Sequence, residues 1–153
     1  MSGKNGLFLV IMASILAACT TKHNFDTQSI ETAVRGVMND QVKAWNEGNV
    51  EAYMNGYYKS DSLRFASGGT ITLGWQFVLD RYKKRYSSRA LMGQLTFSDL
   101  DVTIVSPDAA IAFGKWQLQR ENASPGGLFT LLFRKTDQGW RIVHDHTSAA
   151  VEE

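Results

Sequence analysis

The second half of this chain alternates apolar, β-branched runs with short turn sequences, and that punctuation narrows the possible folds more than any other feature. Residues 91–105, 109–120, 127–135 and 140–148 read as strands. They are separated by Pro107-Asp108, Ser124-Pro125-Gly126-Gly127 and Thr136-Asp137-Gln138-Gly139. Connections this short join antiparallel neighbours. The reading is a long meander, which needs a second layer to cover one face.

The first half supplies that layer. Asp26 or Thr27 caps a helix in which Ile30, Val34, Val37, Met38, Gln41, Val42 and Trp45 recur at helical spacing. Asn46-Glu47-Gly48-Asn49 ends it, with Gly48 as the left-handed residue past the terminus and Asn49 as the next cap. A short second helix carries Val50, Tyr53, Met54 and Tyr57. Leu63 to Ala66 and Thr70 to Thr72 are strand-like around Ser67-Gly68-Gly69. A third helix spans about 74–86 with Trp75, Val78, Leu79, Tyr82 and Tyr86 on one stripe. Three helices followed by a meander predict an α+β domain over 27–150, with helices packed on one face of a curved antiparallel sheet.

The N-terminus belongs to another category. Lys4 precedes an apolar run from Leu7 to Ala18, twelve residues long. A bilayer-crossing helix needs about 20, whereas a signal-peptide core has this length. The run closes on Leu16-Ala17-Ala18-Cys19. This resembles a bacterial lipoprotein signal, in which an aliphatic residue and two small ones precede a cysteine that accepts lipid. The resemblance implies a signal peptide at 1–18, lipidation of Cys19, a tether over 19–26 and a lipid-anchored, periplasm-facing protein. Thr20 after the cysteine implies the outer membrane rather than the inner. The alternative is a chance cysteine behind an ordinary secretory signal. Cys19 is the single cysteine, so the fold holds without an internal disulfide.

Removing Lys4 with residues 1–18 takes the formal charge from +1 to zero, which leaves no electrostatic footprint for nucleic acid. The one basic cluster, Arg81, Lys83, Lys84, Arg85 and Arg89, reads as the solvated side of a helix, with an anion patch as the alternative. No glycine-rich phosphate loop opens a helix, and no serine, histidine and aspartate are spaced as a triad. No cofactor is expected.

The last strand holds the candidate chemistry. "WRIVHDHTS", Trp140 to Ser148, places His144, Asp145 and His146 in an apolar run. Alternation puts Arg141, Val143, Asp145 and Thr147 on one face and Trp140, Ile142, His144 and His146 on the other. It likewise divides 109–120 into Ile111, Phe113, Lys115, Gln117 against Ala110, Ala112, Gly114, Trp116, Leu118. Which face looks inward is not decided by alternation. Two histidines two apart begin a metal site only with a third ligand, and His23 is the sole candidate; no metal is expected.

"AWNEGNVEAYMNGYY", "GWQFVLDRYKKRY" and "GWRIVHDHTS", in this order, resemble the nuclear transport factor 2-like superfamily, closest to its SnoaL-like and ketosteroid-isomerase-like group. The last segment is also similar to the association domain of calcium/calmodulin-dependent protein kinase II. The resemblance implies a cone-shaped α+β fold with a small-molecule pocket between helices and sheet. The family pattern implies a concave, pocket-lining side of Phe113, Lys115, Gln117, Leu131, Val143, Asp145 and Thr147. Tyr57, Tyr58, Phe65, Trp75 and Tyr82 are candidates for the apolar wall, with ordinary core as the alternative for each, and Gln41 is a candidate hydrogen-bond donor to the pocket. Carried over by position, the isomerase's oxyanion-hole tyrosine falls at Gln41, its base at Phe65 and its protonated aspartate near Leu131. Neither Phe65 nor Leu131 can exchange a proton, so steroid isomerisation by that route is not expected.

Two expectations follow. Lys115 and Asp145 pair inside the pocket, either closing the sheet as a salt bridge or orienting a ligand with Asp145 as general base. Trp116, His144 and His146 face outward, at the interface of a homodimer. The leading functional reading is a membrane-tethered binder of an unidentified small molecule. The alternatives are an isomerase-, dehydratase- or hydrolase-like enzyme working through Asp145, and a non-catalytic assembly module.

Overall fold

The computed structural model describes residues 25–150. The apolar leader, Cys19 and most of the tether lie outside the described residues. Helix α1 runs Thr27–Asn46, and Asp26 caps it by accepting from the Ser29 amide at 3.0 Å. Its buried positions are Ile30, Val34, Met38, Gln41, Ala44 and Trp45, a stripe at three- and four-residue spacing. Gly48 takes φ 82° just beyond it, as a helix stop requires. Asn49 then caps α2, Val50–Met54. After the hairpin β1 (Arg64–Ser67) and β2 (Thr70–Leu73) comes α3, Trp75–Arg85, with Lys83, Lys84 and Arg85 in its last turn.

One helix was not foreseen. Ser88 caps a single turn, α4 (Arg89–Met92), where the strand was expected to begin. Arg89 reaches back from it to the carbonyls of Trp45 at 2.9 Å and Asn46 at 3.2 Å. The Trp45 carbonyl also accepts from the Gly48 amide at 2.9 Å, so Arg89 adds a second donor there and serves a terminal carbonyl at Asn46. Strand β3 therefore starts at Gln94 and runs to Ser106, followed by β4 (Ala109–Gln119), β5 (Gly126–Thr136) and β6 (Gly139–Thr147).

The six strands form one sheet in the order β2-β1-β6-β5-β4-β3. Every pairing is antiparallel except one: β1 runs parallel to the last strand, with Phe65 opposite Asp145. Two bulges shift which residues look inward. In β3, Asp99 and Leu100 together face Gly114, and Asp99 adopts φ 51°. The apolar series accordingly jumps from Leu95 and Phe97 to Leu100, Val102 and Ile104. In β6 the extra residue is Val143: Ile142 pairs with Phe133, while His144 pairs with Leu132.

The inward side of β4 is Ala110, Ala112, Gly114, Trp116 and Leu118, the reverse of the expected assignment. Ala110 and Ala112 are fully buried, and Phe113 is 44% exposed. Small side chains are what this face requires. A Cβ at Gly114 would lie 2.8 Å from the Phe129 ring, which crosses the strand there. Phe113, Lys115 and Gln117 thus stand on the outer surface, and Trp116 does not.

Candidate functional site

Helices and sheet enclose a cavity of about 100 Å³. Its upper wall is aromatic. Trp45 from α1, Tyr53 from α2, Tyr57 from the following turn and Tyr82 and Tyr86 from α3 meet there. Trp45 stands edge-on to Tyr53, Tyr82 and Tyr86, with ring centroids 5.0, 6.0 and 4.7 Å away. Phe65 adds a further edge-on contact to Tyr82 at 5.7 Å. The sheet contributes Leu95, Phe97, Trp116, Leu118, Phe129 and Leu131.

Polar atoms in this lining are few, and Asp145 is the centre of them. It is 2% exposed. Its Oδ2 accepts from the Tyr57 hydroxyl at 2.7 Å, and its Oδ1 accepts from the Thr147 hydroxyl at 2.5 Å. The Tyr57 hydroxyl lies 3.5 Å from that of Tyr53, which lies 3.5 Å from that of Tyr82. Burial pushes the Asp145 carboxyl up to about 6, against the pull of the Thr147 and Tyr57 donors. Burial also lifts Tyr53 to about 12. Tyr57 and Tyr82 are held well above the ordinary tyrosine range for the same reason, reinforced by the Asp145 charge. All three phenols stay neutral, and Tyr57 is the one that donates to the carboxylate.

Gln41, 1% exposed, also lines the cavity. Its Nε2 donates to the Tyr53 carbonyl at 3.3 Å, and its Oε1 has no partner. Gly56 makes room for it, since a Cβ there would lie 2.5 Å from the Gln41 amide carbon. At the rim, Arg81 lies over the Phe65 ring at 5.1 Å and donates to Thr72 at 3.0 Å, while Arg85 lies over Tyr86 at 5.8 Å. Neither arginine forms an ion pair among the described residues.

Of the expected pocket residues, the structure brings Gln41, Tyr57, Phe65, Tyr82, Leu131, Asp145 and Thr147 together. Phe113, Lys115 and Gln117 are outside because β4 presents its other face. Val143 sits in the bulge rather than on the wall. Trp75 turns its indole N–H to the Met54 carbonyl at 2.9 Å and borders a separate shallow cleft with Lys59 and Arg141. Tyr58 belongs to neither. The Lys115–Asp145 pair does not form: Lys115 bonds Asp99 at 2.7 Å on the surface, which raises its pKa. Trp116, expected outward, lines the cavity and donates to the Ser148 carbonyl at 2.9 Å.

His144 and His146 do face away from the cavity, on the strand face opposite Asp145. His144 has its pKa lowered by burial and then by Arg64 and His146. Among the described residues no three His, Cys, Asp or Glu side chains converge on a point. Sequence reasoning missed Trp45, Tyr53, Tyr86, Arg81 and Arg85 as lining residues. Helical spacing marks the first three as core stripes and the arginines as solvated, and spacing alone cannot separate a core stripe from a cavity wall.

The register also explains the failed carry-over from the isomerase. Asp145 is the partner of Phe65 on β1 and of Leu131 on β5. The carboxylate therefore stands on the strand between the two positions where the isomerase places its acids.

Comparison with known proteins agrees with this architecture. The model of the SnoaL-like domain matches residues 34–152. A crystal structure of a nuclear transport factor 2-like protein of unknown function from Shewanella oneidensis is 36% identical. It covers 78% of this chain and 98% of its own, with a TM-score of 0.75. A nuclear transport factor 2-like superfamily protein from Salmonella enterica shares the fold at 16% identity, covering 83% and 95%, with a TM-score of 0.64. A Xanthomonas campestris structure named for the calcium/calmodulin-dependent protein kinase II association domain does so at 16% identity, covering 78% and 87%, with a TM-score of 0.62. No curated protein matches the sequence. The chain belongs to the SnoaL-like family of the nuclear transport factor 2-like superfamily.

Proposed function

We propose that this domain binds a small molecule in the mostly apolar cavity beneath its helices and moves a proton on it through Asp145. One observation carries the reading: a carboxyl group 2% exposed, on the wall of a cavity, with a pKa raised to about 6. Both of its protonation states are populated near neutrality, which suits a group that takes a proton and returns it. Tyr57 and Thr147 fix the carboxylate's orientation. Tyr53 and Tyr82 keep their protons and extend the donor chain. The reaction classes this supports are isomerisation, dehydration or water-mediated hydrolysis of a compact substrate.

Native mass spectrometry of the protein taken from its own membrane, paired with an NMR titration of the Asp145 carboxyl, tests the reading. We expect a retained small molecule in the wild type that is lost in Asp145→Asn, and a titration near pH 6. An Asp145 that titrates near pH 4, with no retained mass in either protein, overturns it.

We propose further that Cys19 is lipidated and tethers the domain in the bacterial cell envelope, facing the periplasm. The Leu16-Ala17-Ala18-Cys19 sequence behind an apolar run supports this. Acyl chains contribute about 0.8 kcal/mol per buried methylene, so two or more anchor a protein firmly. Palmitate labelling that persists in Cys19→Ser, or an unlabelled wild type, excludes it.

A further inference from the structure

Two buried acceptors, Gln41 and Asp145, line the cavity, and no ion pair reaches either among the described residues. Gln41 spends its amide N–H on the Tyr53 carbonyl, which leaves Oε1 as the atom without a partner. The position that would supply a donor in the isomerase therefore supplies an acceptor here. The reverse amide orientation would set Oε1 against the Tyr53 carbonyl oxygen, so the polarity is fixed by the backbone. An orphaned buried carbonyl is costly, and a ligand that donates to it removes the cost.

Asp145 is the second acceptor. Its two recorded partners, Tyr57 and Thr147, are neutral hydroxyls, and each carboxylate oxygen has a further lone pair. Around both acceptors stand Trp45, Tyr53, Tyr82 and Tyr86, ring systems that attract cations to their faces. The rim carries the opposite character. Arg81 and Arg85 lie one helical turn apart on α3 and border the cavity without a carboxylate partner among the described residues. A lone cation would meet two guanidinium groups on entry, whereas a dipolar molecule would not.

We propose that the cavity takes a small zwitterion, its protonated amine directed inward to Gln41 Oε1 and Asp145 and its carboxylate held at the rim by Arg81 and Arg85. The inference rests on the ligand-binding reading above and names the ligand class. A volume of about 100 Å³, at about 10–15 Å³ per water-sized occupant, leaves room for roughly eight non-hydrogen atoms.

The test uses the full-length protein in mild detergent and straight-chain ω-amino acids of about four to six carbons, which carry about seven to nine non-hydrogen atoms. Each is compared with the alkylamine, the alkanoate and the ω-hydroxy acid of equal length. Calorimetry gives the affinity, and the fluorescence of Trp45 and Trp116 gives the location. At the best length we expect the amino acid to bind about tenfold or more tighter than each single-group analogue. Gln41→Leu should shrink the margin over the alkanoate and leave the margin over the alkylamine. Arg81→Gln with Arg85→Gln should do the converse.

An alkanoate or hydroxy acid that binds as tightly as the amino acid in the wild type overturns the cationic head. An alkylamine that binds as tightly overturns the rim contact. Absence of binding by every probe overturns the inference as a whole. The retained mass and the Asp145 titration then decide the ligand-binding reading separately. The wild-type comparisons need no variant, so a Gln41→Leu protein that fails to fold leaves the outcome decisive.

Discussion

Asp145 sets the pH behaviour of the domain. Its folded pKa, about 6, lies above the ordinary carboxyl value of 3.8, so folding favours the protonated form. Its contribution to stability is complete below about pH 4, declines as pH rises from 4 to 6, and is gone above. The gap corresponds to about 3 kcal/mol. Urea unfolding of wild type and Asp145→Asn between pH 4 and 7 should show the difference between them changing by about that amount, with the wild type losing ground as pH rises. A difference that does not vary with pH would mean that the carboxyl is solvated. Much of this residue's environment was legible. The family pattern puts Thr147 on the inner side with Asp145 and carries a polar position to Gln41, and both line the cavity with it; Tyr57, an apolar-wall candidate from the sequence, proves to be a donor to the carboxylate. The Lys115 pairing does not form, because it requires the wrong face of β4. A run of Ala110, Ala112 and Gly114 says that something passes close by, yet beside Ile111 and Phe113 it looks like the weaker hydrophobic face.

At the level of elements, the bulges decide which residues meet. In β3 the sequence shows the slip directly, because the apolar phase changes between Phe97 and Leu100. In β6 Ile142 and Val143 are both apolar, so nothing marks the inserted residue and strict alternation misplaces Val143. Helix α4 was missed for a related reason: a single turn of four residues has too little periodicity to detect. Its worth lies in Arg89, which caps the end of α1 with two carbonyl contacts and a favourable charge. Arg89→Ala should cost about 1–2 kcal/mol, seen as a lower denaturation midpoint with faster hydrogen exchange at Asn46 and Glu47. Unchanged exchange at those amides would show that solvent serves the carbonyls equally well.

On the scale of the whole molecule, the outer face of the sheet is the candidate surface for self-association. Ile111, Leu132 and His144 line up across three strands, and Phe113 and Leu128 stand beside them at 44% and 43% exposure. We propose that the homodimer expected from the histidines uses this face with Phe113 in the place given to Trp116. Light scattering should report twice the chain mass for the wild type and a single chain for Phe113→Lys. A wild type of single-chain mass, or a dimer untouched by the substitution, would exclude this face. The antiparallel α+β architecture was readable from turns and helical stripes alone. The β1–β6 pairing was not, since no local pattern announces a parallel neighbour some eighty positions away.

That parallel neighbour has a consequence during synthesis. Tyr57 and Phe65 leave the ribosome long before Asp145, so the early hairpin must wait with one edge unfilled until the final strand slots beside it. A chain ending before Gly139 lacks both the acid and the strand that joins β1 to β5. Assembly of the Asp145 cluster and closure of the sheet therefore belong to one late step.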